Sequence, residues 1–241
     1  MCYAILADVH SNLAAFQAVL RDIEERGGAE EIWCLGDIIG YGPNPSECIA
    51  LLRQFPHLCV AGNHDWAAIG KVDISDFNPD AAQACRWTAR QLSPEDVRYL
   101  EHLPLTLSRH DFTIVHGSPR EPIWEYVLTT RSAKTNFQFF ETRYCLIGHS
   151  HEPLVFEHIG ETCLLRELPA KLKLGENRLI INPGSVGQPR DGDPCAAYAI
   201  YDERDKTIYH YRVSYDIEAT QERMIEEGLP NFLAARLSYG W

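Results

Sequence analysis

The side chains best suited to chemistry in this chain sit in five short segments. They are Asp8-Val-His10, Gly36-Asp37, Gly62-Asn63-His64-Asp65, His116-Gly117 and Gly148-His149-Ser150-His151. Carboxylate oxygens, an amide oxygen and imidazole nitrogens together form a donor set for divalent metals. Mn, Fe or Zn suit such a mixed set better than Ca or Mg, which favour oxygen shells. Asp8 and His10 lie two residues apart, so at a strand end both side chains can project to one side. Asp37, before a Gly-rich turn, is placed to bridge two ions through its two oxygens. Asn63 adds a neutral carbonyl oxygen, and His116, His149 and His151 add three nitrogens.

Such ligands need rigid supports, and the sequence supplies them. Cys2-Tyr-Ala-Ile-Leu, Glu31-Ile-Trp-Cys-Leu, Phe112-Thr-Ile-Val and Tyr144-Cys-Leu-Ile are apolar, β-prone runs, each followed by one of the segments. A strand that stops at a polar ligand puts that ligand on one edge of a sheet, so the segments build a metal-binding rim. Between the first two runs, Leu13, Phe16, Leu20 and Ile23 recur at helical spacing, after a Ser11-Asn12 cap and before Gly27-Gly28. This β-α-β unit predicts parallel strands. A short helix over 47–52 and a strand over 58–61 follow.

Residues 66–105 turn helical, over 80–91 and 94–102. A second insertion spans 118–141. Both follow metal segments directly, which predicts helical caps over the rim. After His151 the chain becomes β-rich, with strands over 154–158, 162–165, 179–181, 196–201 and 207–213. A last helix over 217–227 precedes an apolar tail. No repeat or linker divides the chain, so residues 1–241 read as one domain.

The bulk properties restrict function further. The chain has 241 residues, 45% of them hydrophobic, and a formal net charge of −12. No apolar run approaches the roughly 20 residues of a membrane span, and the N-terminus lacks the basic start of a signal peptide. Eight scattered cysteines without a Cys-x-x-Cys pair read as reduced thiols in a cytoplasmic protein. An acidic chain is poorly suited to long nucleic acid. Two divalent ions on two aspartates would still leave the rim net positive, so a small phosphorylated substrate is favoured.

The five segments, in this order, resemble the calcineurin-like metallophosphoesterase superfamily over about residues 3–190. The resemblance implies an α/β fold, a four-layer αββα sandwich of two mixed β-sheets flanked by helices, with the metal site at strand C-terminal ends. It implies two divalent ions, Mn2+ first, with Fe or Zn as alternatives. Asp8, His10, Asp37 and His151 would hold one ion, and Asp37, Asn63, His116 and His149 the other. His64 would be the non-ligand histidine at the leaving group, protonated to assist it, with Asp65 holding its other ring nitrogen. A metal-bridging hydroxide would attack phosphorus in line.

The loop Asn182-Pro-Gly-Ser-Val-Gly-Gln-Pro-Arg190 is expected to border the site, with Arg190 on phosphate. Asn12 and Tyr41 are expected to line the pocket. The run Gly36-Asp37-Ile-Ile-Gly-Tyr-Gly-Pro-Asn-Pro45 looks like a prokaryotic phosphoesterase branch described as diadenosine-tetraphosphatase-related. Ser/Thr protein phosphatases carry Asp-Arg-Gly where this chain has Gly40-Tyr41-Gly42, and end the third block in Glu where it has Asp65. The symmetrical tetraphosphatases also carry an Arg there.

The first expectation is a hydrolase of small phosphodiesters or phosphomonoesters. A nucleotide-like substrate is favoured, because Trp66, Trp124 and Tyr126 in the caps could stack on a base. The alternative is a dinucleoside polyphosphate hydrolase. A nucleotide sensor without turnover ranks lower, because every ligand and His64 are present. The apolar tail, residues 230–241, is expected to dock on its own domain or to make a homodimer.

Overall fold

The structure is a computed structural model that describes residues 1–75 and 77–241; Asp76, inside the first expected insertion, lies outside the described residues. Two six-stranded mixed sheets stack face to face, with eight helices around them among the described residues.

The first sheet grows from the N-terminal β-α-β units. Strand β1 (Cys2–Leu6) pairs in parallel with β2 (Glu31–Cys34), and β2 with β3 (His57–Cys59). Helix α1 (Leu13–Glu25) makes the first crossover, and α2 (Pro45–Leu52), begun by a proline, makes the second. The sheet continues antiparallel from β1 into β11 (Ala196–Asp202), β12 (Thr207–Val213) and β9 (Lys171–Lys173). The second sheet runs in the order β4 (Thr106–Arg109), β5 (Phe112–Val115), β6 (Tyr144–Leu146), β10 (Arg178–Pro183), β7 (Pro153–Ile159) and β8 (Thr162–Glu167).

The pleat sorts the side chains. Tyr3, Ile5 and Ala7 join Trp33, Phe112, Leu146 and Ile181 between the sheets. Ala4 and Leu6 face the other way, into a layer with Phe16, Val19 and Ile23 of α1. Outside the second sheet, Cys145, Phe156 and Ile180 pack with Ala133 of α6 (Thr130–Asn136) and with Phe137. This is the expected four-layer sandwich.

Strands β4 and β9 depart from the sequence reading, which placed no strand at either. Both are sheet edges whose side chains are mostly exposed and polar, so no apolar run marks them. The first insertion forms α3 (Asn63–Ala68), α4 (Pro79–Gln91) and α5 (Pro94–Glu101). After α7 (Ile217–Glu226), the tail folds into α8 (Asn231–Ala235) and a 3-10 turn, Arg236–Ser238. Leu233, Ala234 and Leu237 are buried there against Tyr41 and Met224. The tail therefore docks on its own chain, while Phe232, Tyr239 and Trp241 stay exposed.

One sheet histidine predicts the acid response. In β12, His210 Nε2 donates to the Pro183 carbonyl at 3.1 Å. Burial, helped by Arg212 and opposed by Asp191 and Asp193, pushes its pKa down to about 4 from the ordinary 6.5. Between those values the unfolded chain takes up a proton that the folded chain refuses. Stability from this group is therefore full above pH 6.5 and is lost as pH falls toward 4, by on the order of 3 kcal/mol. Urea midpoints from pH 7 to pH 4.5 should fall less steeply for His210→Gln than for the natural chain. Parallel slopes would contradict this.

Candidate metal centre

All five ligand segments converge where the two sheets meet. Strand β1 delivers Asp8 and His10, β2 delivers Asp37, β3 leads into Asn63, β5 ends at His116, and β6 leads to His149 and His151. The chain turns sharply at these positions. Asp8, His10, Asp37, His149 and His151 all have left-handed backbones, with φ between 50° and 66°. Such a backbone costs an L-residue on the order of 1–3 kcal/mol and concentrates at functional sites.

Two groups of ligand atoms form, each fully buried. Asp8, His10 and His151 make one, and Asp37, His116 and His149 the other. Asn63 joins the second group, its Oδ1 3.1 Å from His116 Nε2. Asp37 links them. Its Oδ2 lies 3.6 Å from His10 Nε2 and 3.4 Å from His116 Nε2. The expected bridge through both oxygens is corrected here. Oδ1 accepts the His64 backbone N–H at 2.9 Å, so Oδ2 alone faces both groups.

Each ligand histidine donates its outward ring nitrogen to a backbone carbonyl. His10 Nδ1 meets Ile39 O at 3.2 Å, and His116 Nδ1 meets Leu35 O at 2.9 Å. His149 Nε2 meets Trp124 O at 3.3 Å, and His151 Nδ1 meets Gln188 O at 2.6 Å. A nitrogen facing a carbonyl must carry the proton. The inward nitrogens of neutral rings are then bare lone pairs. Yet His10 Nε2 and His151 Nε2 stand 3.1 Å apart, and His116 Nε2 and His149 Nδ1 stand 3.2 Å apart. Lone pairs that close repel one another unless a cation lies among them. Carbonyl-oriented imidazoles are also the usual outer support of metal ligands.

Electrostatics agree. Burial raises the Asp8 carboxyl to about 7 and pushes Asp37 well above the carboxylate range. Burial likewise holds His10, His149 and His151 far below their ordinary pKa, in the uncharged, metal-binding form. Buried carboxylates beside neutral imidazoles leave the site in need of positive charge. The residues thus fit two divalent cations.

The surrounding groups sort the other expected residues. His64 lines a cavity of about 120 Å³ over the ligands, together with Tyr41, Phe77, Tyr126 and Arg190. Its Nδ1 is buried without a hydrogen-bond partner among the described residues, which leaves Nε2 as the available ring nitrogen. Burial, with Arg190 and His116 acting the same way, lowers its pKa to about 3, so the ring is neutral here rather than protonated as expected.

Asp65 does not hold His64, as the sequence reading expected. Its carboxylate accepts the backbone N–H groups of Asp37 (2.8 Å), Gly62 (2.9 Å) and Ile39 (3.2 Å), binding the second and third segments together. Three unpaired amides satisfy a buried carboxylate better than one imidazole. Asn12 also lies away from the cavity. Its Oδ1 caps α1 at Ala15 N and its Nδ2 donates to Gly187 O at 2.9 Å. Trp66, expected to stack on a substrate, packs on the core behind the sheet instead. Tyr126 lies flat on His149, ring centres 4.0 Å apart, and Trp124 meets Phe77 edge-on.

The 182–190 loop borders the site as expected and ties it together. Ser185 Oγ donates to Asp8 O, and Asn182 Nδ2 donates to Gly148 O. Phe77 escaped the sequence reading. Nothing in its surroundings along the chain marks it, because folding alone brings it 4.9 Å from His64.

Close backbone approach sets a further constraint. A Cβ on Gly62 would overlap the Asp37 carboxylate and backbone nitrogen. Gly62→Ala should therefore displace Asp37 and lower bound metal per chain, read by elemental analysis. Unchanged metal content would show that the loop can yield.

Comparison with known proteins adds ancestry. Residues 1–206 match the family model described as a calcineurin-like phosphoesterase superfamily domain. An uncharacterized protein of Methanocaldococcus jannaschii is 41% identical, with 98% of this chain and 97% of that protein aligned. The crystal structure of a metallophosphoesterase from Sphaerobacter thermophilus superposes with a TM-score of 0.90 at 45% identity, covering 100% of both chains. A symmetrical bis(5'-nucleosyl)-tetraphosphatase of Haemophilus ducreyi is 26% identical over 56% of this chain and 51% of its own length.

Proposed function

This chain belongs to the calcineurin-like phosphoesterase superfamily and is a phosphoester hydrolase, and we propose that it cleaves small phosphodiesters or phosphomonoesters carrying a nucleoside-like group. The observation that carries this reading is the pair of ligand groups sharing Asp37 Oδ2 beneath a cavity walled by His64 and Arg190. Asp8, His10, Asp37 and His151 would hold one divalent ion, and Asp37, Asn63, His116 and His149 the other. Mixed nitrogen and oxygen donors favour Mn2+. Such ions supply a nucleophilic hydroxide near neutral pH and offset phosphoryl charge.

The chain's own residues do the rest. The Arg190 guanidinium offers a planar fork to phosphoryl oxygens. His64 Nε2 borders the same cavity and donates a hydrogen bond to the leaving oxygen. Phe77, from the first insertion, and Tyr126, from the second, flank the entrance, where a base would stack. This supports reading both insertions as caps.

Dinucleoside polyphosphate hydrolysis is the second reading. The Haemophilus ducreyi relative favours it, and Gly40-Tyr41-Gly42 in place of an arginine turn weighs against the symmetrical type. Among the described residues no helix is long and apolar enough to cross a membrane, and eight free cysteines suit a reducing cytoplasm. The exposed Phe232, Tyr239 and Trp241 favour a homodimer through the tail.

The test is turnover by metal-stripped protein reloaded with Mn2+. Bis(p-nitrophenyl) phosphate, p-nitrophenyl phosphate and diadenosine tetraphosphate are assayed in parallel. Mn2+-dependent cleavage of the chromogenic esters is expected. Cleavage of diadenosine tetraphosphate alone would shift the conclusion to the second reading, and no cleavage would overturn both.

A further inference from the structure

One of the four ligand histidines is supported differently from the rest. His10, His116 and His151 donate to carbonyls in the turns and the loop of the rim, those of Ile39, Leu35 and Gln188. His149 Nε2 donates instead to the Trp124 carbonyl, at 3.3 Å, which belongs to the second insertion. The Tyr126 ring lies on the face of the same imidazole, 4.0 Å away. Yet residues 125–128 belong to no helix or strand, and the Trp124 and Tyr126 side chains are exposed. Something else must fix this stretch if His149 is to keep its orientation.

Glu125, between the two aromatic residues, turns inward, its side chain 13% exposed. Its Oε2 accepts Ser118 Oγ at 2.6 Å, Asn136 Nδ2 at 2.9 Å and Arg120 Nε at 3.3 Å, and its Oε1 accepts an Arg120 Nη. Ser118 and Asn136 are fully buried; the first follows His116 by two residues, and the second ends α6. Asn136 Oδ1 also accepts the Arg120 backbone N–H at 3.0 Å, and Ser118 Oγ the Glu121 N–H at 2.9 Å. Burial works to raise the Glu125 carboxyl, but the hydrogen bonds from Ser118, Asn136 and Arg120 outweigh it and hold the group below the usual range. A carboxylate filled on both oxygens by such donors is rigidly placed.

The Trp124 carbonyl is part of the planar peptide unit that ends at the Glu125 nitrogen, so fixing Glu125 aims that carbonyl. We infer that Glu125 is a positioning residue of the metal centre. By tying the second insertion to Ser118, Arg120 and Asn136, it holds the Trp124 carbonyl and the Tyr126 ring on His149, and so sets the affinity of the ion that His149 helps to bind. Glu125 itself belongs to neither ligand group and does not line the cavity above them. The second insertion is then a working part of the metal centre as well as a wall. This rests on the reading of Asp37, Asn63, His116 and His149 as the ligands of one ion.

The first measurement is calorimetric titration of metal-stripped protein with Mn2+. The natural chain should take up two ions. Glu125→Ala should weaken one of them by about 10–100-fold, the usual worth of an outer support of a metal ligand, and leave the other within about 2-fold. Glu125→Gln can still offer an oxygen to Ser118 and Asn136 and should stay within about 3-fold of the natural chain. A loss as large as that of alanine would assign the effect to charge and overturn the positioning role.

The second measurement is the exchange of the imidazole N–H protons in Zn2+-loaded protein by NMR, with His149→Ala identifying the His149 signal. That proton should be protected in the natural chain and exchange with water in Glu125→Ala, while those of His10, His116 and His151 stay protected. All four exchanging alike would mean general loosening, and none exchanging would mean that His149 needs no such support; either overturns the inference. If Glu125→Ala fails to fold, Ser118→Ala, which removes one bond to the carboxylate, takes its place and should show the same changes on a smaller scale. Two ions bound equally well by the natural chain and the folded variants would overturn this inference alone. Failure of the natural chain to bind an ion at His149 would overturn the ligand reading with it.

Discussion

Asp37→Asn will lower kcat/KM by on the order of 10³-fold or more and will cost the protein at least one bound ion. The reason lies in the division of labour between its oxygens. Oδ1 accepts the His64 N–H, and Oδ2 faces His10 Nε2 and His116 Nε2. An asparagine can keep the first contact with its own oxygen, so the loop should hold. Its amide nitrogen, a donor, would then replace the shared oxygen anion between two sets of lone pairs. Both groups lose their common negative ligand at once. Elemental analysis and chromogenic-ester kinetics check this together. Two retained ions with ordinary turnover would remove Asp37 as the bridge.

His64→Ala should do the opposite to metal and much the same to rate. His64 belongs to neither ligand group, and its contact with Asp37 is made by backbone, which alanine retains. Bound metal should be unchanged. The rate should fall about 10²–10⁴-fold, the usual worth of a positioned proton or hydrogen-bond donor. The leaving group sharpens the test. Nitrophenolate departs with little help, so the loss should be smaller for p-nitrophenyl esters than for esters of alkyl alcohols. A uniform loss across leaving groups would assign His64 to packing, and an unchanged rate would remove it from the reaction.

Much of this centre was legible in the sequence because ligand type and strand end coincide. Apolar runs ending in Asp, Gly-Asp or His mark both the sheet and its rim, and the seven candidate ligand side chains lie together in two groups that could hold metal ions. What escaped has physical causes. Strands β4 and β9 are polar edges, paired on one side only, so their alternation carries little apolar signal. The role of Asp65 could not be read because it depends on three backbone amides aimed by turns, and amides leave no trace in residue identity. The neutrality of His64 depends on burial beneath loops from distant segments. Phe77 reaches the site by tertiary packing alone, which brings its ring 4.9 Å from His64.

The left-handed turns under the ligands carry a consequence for descent. Asp and His, with Asn and Gly, are the residues that tolerate such a backbone best, and β-branched residues tolerate it worst. At Asp8, His10, Asp37, His149 and His151 the conformational filter and the chemical filter therefore admit overlapping alphabets. A lineage that abandoned catalysis would be released from the second filter but not from the first. Its relic would keep the turns and exchange His and Asp for Asn and Gly, so that a silent descendant still spells out in small and amide residues where its metals once sat.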